Sequence, residues 1–307
     1  MAINLTDPIF TDETKAREHL ESLRWPDGKP YCPHCGETAR VYRLNGASHR
    51  PGLIHCNSCQ GSFTVTTGSV MESSHLPLNK WVLAYRLMAG SKKGMSAHQL
   101  HRTIGVTYKT AWFLWHRIRE AMREGAPEPA LGGSGKTVEV DETYIGGKPR
   151  PGTNTKGKSG RGTKKTPVVA LVERSGRVRS RKIEHVDAAT LKGAIRENVD
   201  RKSRIVTDEW RSYIGIGKEF EGGHEVVLHS ASEYARDDVN TNTVESYFAL
   251  LKRGVVGSFH HISKEHLDRY CDEFSFRWNR RDLNDTERAA AIVKGGIGKR
   301  LTYRQPR

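Results

Sequence analysis

No stretch of eighteen apolar residues occurs anywhere in the chain, which excludes a membrane-spanning helix. The opening residues, MAINLTDPIF, hold no basic stretch leading into an apolar one. That argues against a secretory signal and for the cytoplasm, on the nucleoid if the partner is DNA. Cysteine is scarce, with five in 307 residues, and acid is short as well. Against 50 Lys and Arg stand 35 Asp and Glu, leaving a net charge of +15. Such a surplus points to a polyanionic partner, most often nucleic acid, although charge that merely aids solubility is the competing reading. No internal repeat is visible. The length allows two or three domains, one of them with a full core.

What cysteine there is falls in a pattern. Cys32 and Cys35 form one CxxC, Cys56 and Cys59 another, with twenty residues between the pairs. Each CxxC sets two thiolates on one tight turn, and two such turns close a sulfur tetrahedron around a single zinc ion. Disulfides are disfavoured in a cytosolic chain, and a redox CxxC usually occurs once. His34 and His55 are adjacent and could substitute as ligands, but four sulfurs already complete the shell. With no position open to substrate, this zinc is structural. Residues 1–72 form a zinc-ribbon module too small for a large core, with short strands at Val41–Leu44 and Phe63–Thr66. Cys271 stands alone in a helical stretch, as a small hydrophobe.

Residues 73–125 read as helices. Trp81, Tyr85 and Met88 share a face of the first; Ser96 caps the second, which Gly105 stops, and Thr107 caps a third. Two short helices around a Gly-Val-Thr turn make a helix-turn-helix, though an ordinary helical hairpin has the same pattern. Its second helix is expected to expose Tyr108, Lys109, Trp112, His116, Arg117 and Arg119, which suit phosphate and base-edge contacts in a major groove, with Lys109, Arg117 and Arg119 as the DNA-binding cations. Residues 126–136 are a linker by composition. From 137 to 285 the pattern is mixed α/β, with strands at Val138–Ile145, Val168–Glu173, Val178–Val186, Ile205–Thr207 and His224–Leu228. A helix is expected over Asp187–Val199, and mainly helix from Thr243 to Arg281. An acid-free insert, 147–166, carries Lys156, Lys158, Lys164 and Lys165; it is expected to order only against DNA, or to be a dispensable loop. Residues 286–307 read as a basic tail.

The acids of the α/β region bear most on chemistry. Alternation along Val138-Glu139-Val140-Asp141-Glu142 sets the valines on one strand face and Asp141 on the other. Asp208 ends the apolar strand Ile205-Val206-Thr207, where a carboxylate is costly unless a cation or donor satisfies it. Two such carboxylates suit a hard dication such as Mg²⁺, although caps and salt bridges explain most acid pairs. Glu245 begins a helix, and Lys252, almost two turns on, projects from the same face. Asn242, Asp237 and Asp238 compete with Glu245 for the third position; Asn242 is neutral, and the two aspartates precede the helix in a polar loop. Glu273 and Arg277 stand i,i+4, with Arg280 and Arg281 beyond, a spacing that usually marks a solvated face.

The string Asp141-Glu142-Thr143-Tyr144-Ile145-Gly146-Gly147-Lys148 resembles the first catalytic motif of the insertion-sequence transposases that have an N-terminal zinc ribbon and an ISXO2-like DDE domain, the IS1595 group. Thr207-Asp208-Glu209 with Tyr213 is similar to the second motif. Asn240 to Ser246 with Leu251-Lys252-Arg253 is similar to the third, and Glu273 to Arg277 with Asn279 to the closing signature. The resemblance spans the zinc pairs through about Arg281. It implies a ribonuclease-H-like catalytic fold, with Asp141, Asp208 and Glu245 holding two Mg²⁺ or Mn²⁺ ions and Lys252 as the accompanying cation. Some members of the group carry Asn at the third position. The activity implied is transposition: binding of the element's terminal inverted repeats, hydrolysis that frees a 3′-hydroxyl, and its joining to target DNA. Arg253 and the insert lysines would contact DNA, and a homodimer or larger synaptic complex would join two ends. The rivals are a nuclease or junction-resolving enzyme of similar fold, and a zinc-ribbon and helix-turn-helix regulator with an inactive domain.

Overall fold

The computed structural model describes residues 4–125, 128–146, 165–228 and 238–303. None of its helices, among these residues, is long and apolar enough to cross a membrane. The chain divides into two units, one of residues 1–124 with 282–307 and the other of residues 125–281.

The first unit opens with a helix that the sequence pattern had left unread, α1 (Glu13–Arg24). Its signals are local: Asp12 accepts the Lys15 amide at 2.9 Å as an N-cap, and Ala16 and Leu20 bury one face. Strands β1 (Val41–Arg43), β2 (Ile54–Cys56) and β3 (Ser62–Phe63) form a small antiparallel sheet. Arg24, at the end of α1, donates to the carbonyls of Val65 and Thr67 at 2.6 and 2.7 Å, tying the helix to the chain leaving the sheet. Then come α2 (Leu78–Gly90), α3 (Ala97–Ile104) and α4 (Tyr108–Met122). Ser96 and Thr107 cap α3 and α4, and Gly105 between them takes φ +63°, the left-handed region glycine favours.

Residues 286–307 are not simply a tail. A capping box of Asn284 and Glu287 starts α8 (Asp285–Gly295), which packs against α1, α2 and α4. Ile292 and Val293 are buried, Arg86 meets Asp285 at 2.8 Å, and Gly295 lies so near α4 that an added Cβ would stand 2.5 Å from the Ala121 carbonyl oxygen. The charges of this segment masked a short apolar stripe that closes the core of the first unit.

In the second unit five strands run β4 (Thr137–Ile145), β5 (Thr166–Glu173), β6 (Val178–Lys182), β7 (Arg204–Asp208) and β8 (His224–Val227). Their order across the sheet is β6-β5-β4-β7-β8; the first three are an antiparallel meander, and β7 and β8 run parallel to β4. The third strand stops at Lys182, short of the expected Val186, because the chain turns there toward Asp187, which caps α5 (Ala188–Asn198). Alternation decides the layers. Val138, Val140, Val169, Leu171 and Ile205 face Leu191, Ala194 and Ile195 of α5. Ile145, Val168, Ala170 and Val172 face α6 (Asn242–Gly254) and α7 (Leu267–Asn279) on the opposite side. The linker is not free either: Leu131 is buried, and its backbone bonds Asn198 and Asp200 at 2.8 and 2.9 Å.

Candidate metal centres

The four cysteines converge. Their sulfurs all lie within 4.8 Å of one another, with Cys32 to Cys59 and Cys35 to Cys56 each 3.6 Å apart. A tetrahedron with Zn–S bonds of about 2.3 Å has edges of about 3.8 Å, so the quartet is already close to the size a zinc ion requires. The Cys59 amide, against the desolvation of the thiol and with help from the Ser58 amide, brings Cys56 down to about 7. His34 and His55 stay outside this group, and His55 bonds the Ser62 hydroxyl at 3.1 Å instead.

The acids of the second unit are brought together by register. On the parallel pair β4 and β7, Val140 stands beside Thr207. One residue further along each strand stand Asp141 and Asp208, on strands about 4.8 Å apart. Both are half-buried, on the sheet face that α6 covers. Glu245 lies in the first turn of α6, exposed, and accepts the Thr241 hydroxyl at 3.0 Å. Burial, then the charges of Glu142, Asp208 and Glu245, push Asp141 up to about 7, against the Glu142 amide that bonds it at 2.7 Å. Asp141 thus feels both of its expected partners, in surroundings with too little positive charge. Hard oxygen donors with unrelieved mutual repulsion fit a divalent cation. Yet these donors stand further apart than the thiols, since the cysteines alone form a group within 4.8 Å among the described residues.

The competitors for the third position separate. Asp238 pairs with Arg204, an ordinary structural role, and Asn242 is exposed at the start of α6. Asp237 lies outside the described residues. Lys252 and Arg253 are exposed near the end of α6, on the uninterrupted helix that carries Glu245. Lys165 is exposed just before β5, whereas Lys156, Lys158 and Lys164 lie outside the described residues.

Glu139 went unread, although a carboxylate between two core valines was a legible signal. It is 0% exposed and accepts Arg174 Nε at 2.7 Å, the Thr243 amide and hydroxyl at 2.8 and 2.9 Å, and the Val244 amide at 3.0 Å. Tyr213 is buried as well and donates to Glu142 at 2.9 Å, joining the middle of β4 to the segment after Asp208. Glu273 and Arg277 are no solvated face: both are buried and bond at 2.7 and 3.1 Å.

Two expected DNA contacts are corrected. Arg117 is 5% exposed, its guanidinium against Trp81 and Phe113 and bonded to the Glu72 carbonyl; Arg119 is 2% exposed, and His116 is buried too. Leu114 to Arg119 are all buried, so this part of α4 is enclosed on every side within the first unit. Lys109 is exposed in the first turn of α4, beside exposed Tyr108 and Thr110.

Residues 130–279 match the ISXO2-like transposase domain, and residues 11–62 the transposase zinc-ribbon domain. An uncharacterized protein in transposable element ISH50 of Halobacterium salinarum is 30% identical over 282 residues, which covers 87% of this chain and 91% of that protein. An uncharacterized transposase-like protein of Haemophilus influenzae is 29% identical over 116 residues, 38% of this chain and 92% of that protein. The Mos1 strand transfer complex contains a chain 13% identical to this one, with 72% and 79% of the two chains covered at a TM-score of 0.27. With both domains matched and a relative of this coverage, the chain belongs to the ISXO2-like transposase family.

Proposed function

We propose that the protein is a DNA transposase that cuts at the terminal inverted repeats of its element and joins the freed 3′-hydroxyl to target DNA. One observation carries this reading: Asp141, midway along β4, and Asp208, at the end of β7, stand at neighbouring positions of two adjacent parallel strands, and Glu245 lies near enough to raise the Asp141 pKa. The order β6-β5-β4-β7-β8, an antiparallel meander followed by two parallel strands, supports a ribonuclease-H-like catalytic domain.

Asp141, Asp208 and Glu245 would hold two magnesium or manganese ions, which supply, when bound, activation of the attacking oxygen and neutralisation of the leaving one. Asp141 must lose its proton to act as a ligand, and the Glu142 amide stabilises the carboxylate so formed. Lys252, exposed on α6, offers a cation to the scissile phosphate. In the first unit α3, the Gly105 turn and α4 support a helix-turn-helix whose second helix reads DNA through Tyr108, Lys109 and Thr110. Joining two ends calls for two active sites, hence a homodimer or larger synaptic complex.

Incubation of the protein with Mn²⁺, labelled element ends and a plasmid target should yield 3′-hydroxyl ends and joined products. Asp141→Asn, Asp208→Asn and Glu245→Gln should each lower both by about a thousandfold or more, as loss of essential transition-state charge stabilisation does, while end binding persists. Cleavage without joining would favour the nuclease reading. Binding alone, with wild-type and variants equally inert, would favour the regulator.

A further inference from the structure

Helix α6 carries Glu245 but does not cap itself. Thr241, at the N-cap, makes no side-chain capping bond. The cap comes instead from β4, since Glu139 accepts the Thr243 and Val244 amides, which occupy the second and third positions of the helix, from 104 and 105 residues away. Glu139 lies two residues before Asp141 on the same strand face, and Val244 immediately precedes Glu245. This one carboxylate therefore ties the strand of the first acid to the helix of the third. Arg174 locks it from behind. Its Nε bonds Glu139, while its other nitrogens reach the carbonyls of Asp238 and Asn240 at 2.6 and 2.8 Å, gripping the segment that enters α6.

A buried ion pair contributes little net stability, because desolvation offsets most of the attraction and an apolar pair of similar size often does as well. Stability alone therefore gives weak reason for such a network here. We propose that Glu139, held by Arg174, is a positioning residue: it fixes the start of α6 against β4 and so sets Glu245 opposite Asp141 and Asp208, which tunes the affinity for the divalent cation. The inference rests on the assignment of those three acids to the metal site.

The test uses the full-length protein without DNA and two readouts, amide hydrogen exchange at residues 241–246 and Mn²⁺ affinity by electron paramagnetic resonance. Glu139→Asp keeps both charges but withdraws the carboxylate by one methylene. The double variant Glu139→Met with Arg174→Met removes both charges at similar volume. In each, exchange at Thr243 and Val244 should quicken about tenfold, and Mn²⁺ should bind about 10- to 100-fold more weakly. If the double variant does not fold, Glu139→Asp decides alone on the same readouts. Wild-type exchange, or faster exchange with wild-type Mn²⁺ affinity, overturns the proposal. Asp141→Asn is the control for the underlying assignment. If it binds Mn²⁺ as the wild type does, the metal assignment falls and the proposal with it, whereas weaker binding there beside unchanged Glu139 variants rejects the positioning role alone.

Discussion

The cysteine quartet and the carboxylate trio differ in how far folding has brought their donors together. Cys32, Cys35, Cys56 and Cys59 come from two short turns, and their sulfurs already approach the edge lengths of a zinc tetrahedron. Asp141, Asp208 and Glu245 come from two strands and a helix, and they meet only after a sheet register and a helix cap are in place. The first set, once filled by zinc, would be a closed shell that staples the small sheet of β1, β2 and β3. The second is an open cluster whose charges oppose one another, as the proposed catalytic site, which would have to admit substrate, requires. On the proposed reading one donor set would support folding, and the other would burden it until a cation arrived.

The largest effect expected from that contrast is on removal of metal. Chelation strong enough to strip zinc, or Cys32→Ser, should unfold the ribbon of residues 11–62, because zinc binding supplies on the order of 10 kcal/mol to such modules. The second unit should keep its sheet under the same treatment. Circular dichroism and limited proteolysis before and after chelation, with elemental analysis for one zinc per chain, check this. A ribbon that stays protected without metal would erase the distinction between the two sites.

The same contrast explains what could be read from sequence. The thiols were legible because CxxC spacing is local. Asp141 was legible from strand alternation and Asp208 because a charge at the end of an apolar run stands out, and the motif resemblance ordered them. Their adjacency was not legible, since it depends on β4 and β7 pairing in parallel although Asp141 and Asp208 stand 67 positions apart in the chain. Arg117 and Arg119 misled because charge implies exposure, whereas both are buried and rings from α2 and α4 cover the Arg117 guanidinium. Helices α1 and α8 carried readable caps at Asp12 and Asn284 that composition drew attention away from. Glu139 had no sequence partner at all: its ligands lie more than a hundred residues on, apart from Arg174.

A smaller effect follows from the charge of the open cluster. The Asp141 carboxyl moves from its ordinary 3.8 to about 7 in the folded chain. Between those values the unfolded chain has lost a proton that the native one keeps, so the unfolded state binds fewer protons and stability falls as pH rises. The loss is complete above about pH 7, the reverse of a salt-bridged aspartate. Asp141→Asn should therefore stabilise the metal-free second unit at pH 8, by on the order of 2 kcal/mol, and change little at pH 4. Mn²⁺ affinity of the wild type should rise with pH up to about 7, as the competing proton leaves. Thermal melts at the two pH values with EDTA absent and no added metal give the sign, and equal melting of both proteins at pH 8 would show that the cluster is not a burden.

The smallest effect concerns two cations on α4 that differ in burial. Lys109 is exposed in the first helical turn, its ammonium 4.9 Å from the Tyr303 ring, while Arg117 is enclosed two turns later. If α4 enters a DNA groove by its first turn, Lys109 can neutralise one phosphate and Arg117 none. Lys109→Ala should then weaken end binding and reduce the slope of log affinity against log salt by about 0.9, the value of one released counterion. Its effect on melting should stay within about 0.5 kcal/mol, as for most surface substitutions. Arg117→Ala should do the opposite. It leaves the Glu72 carbonyl without its donor and a gap beside Trp81 and Phe113, destabilising the first unit by about 2–3 kcal/mol. Measured below its melting transition, that variant should keep the wild-type salt slope. Titrations at four salt concentrations, paired with melts of both variants, separate the outcomes. A changed slope for Arg117→Ala with an unchanged one for Lys109→Ala would mean that DNA meets the far end of α4, which in this fold is covered.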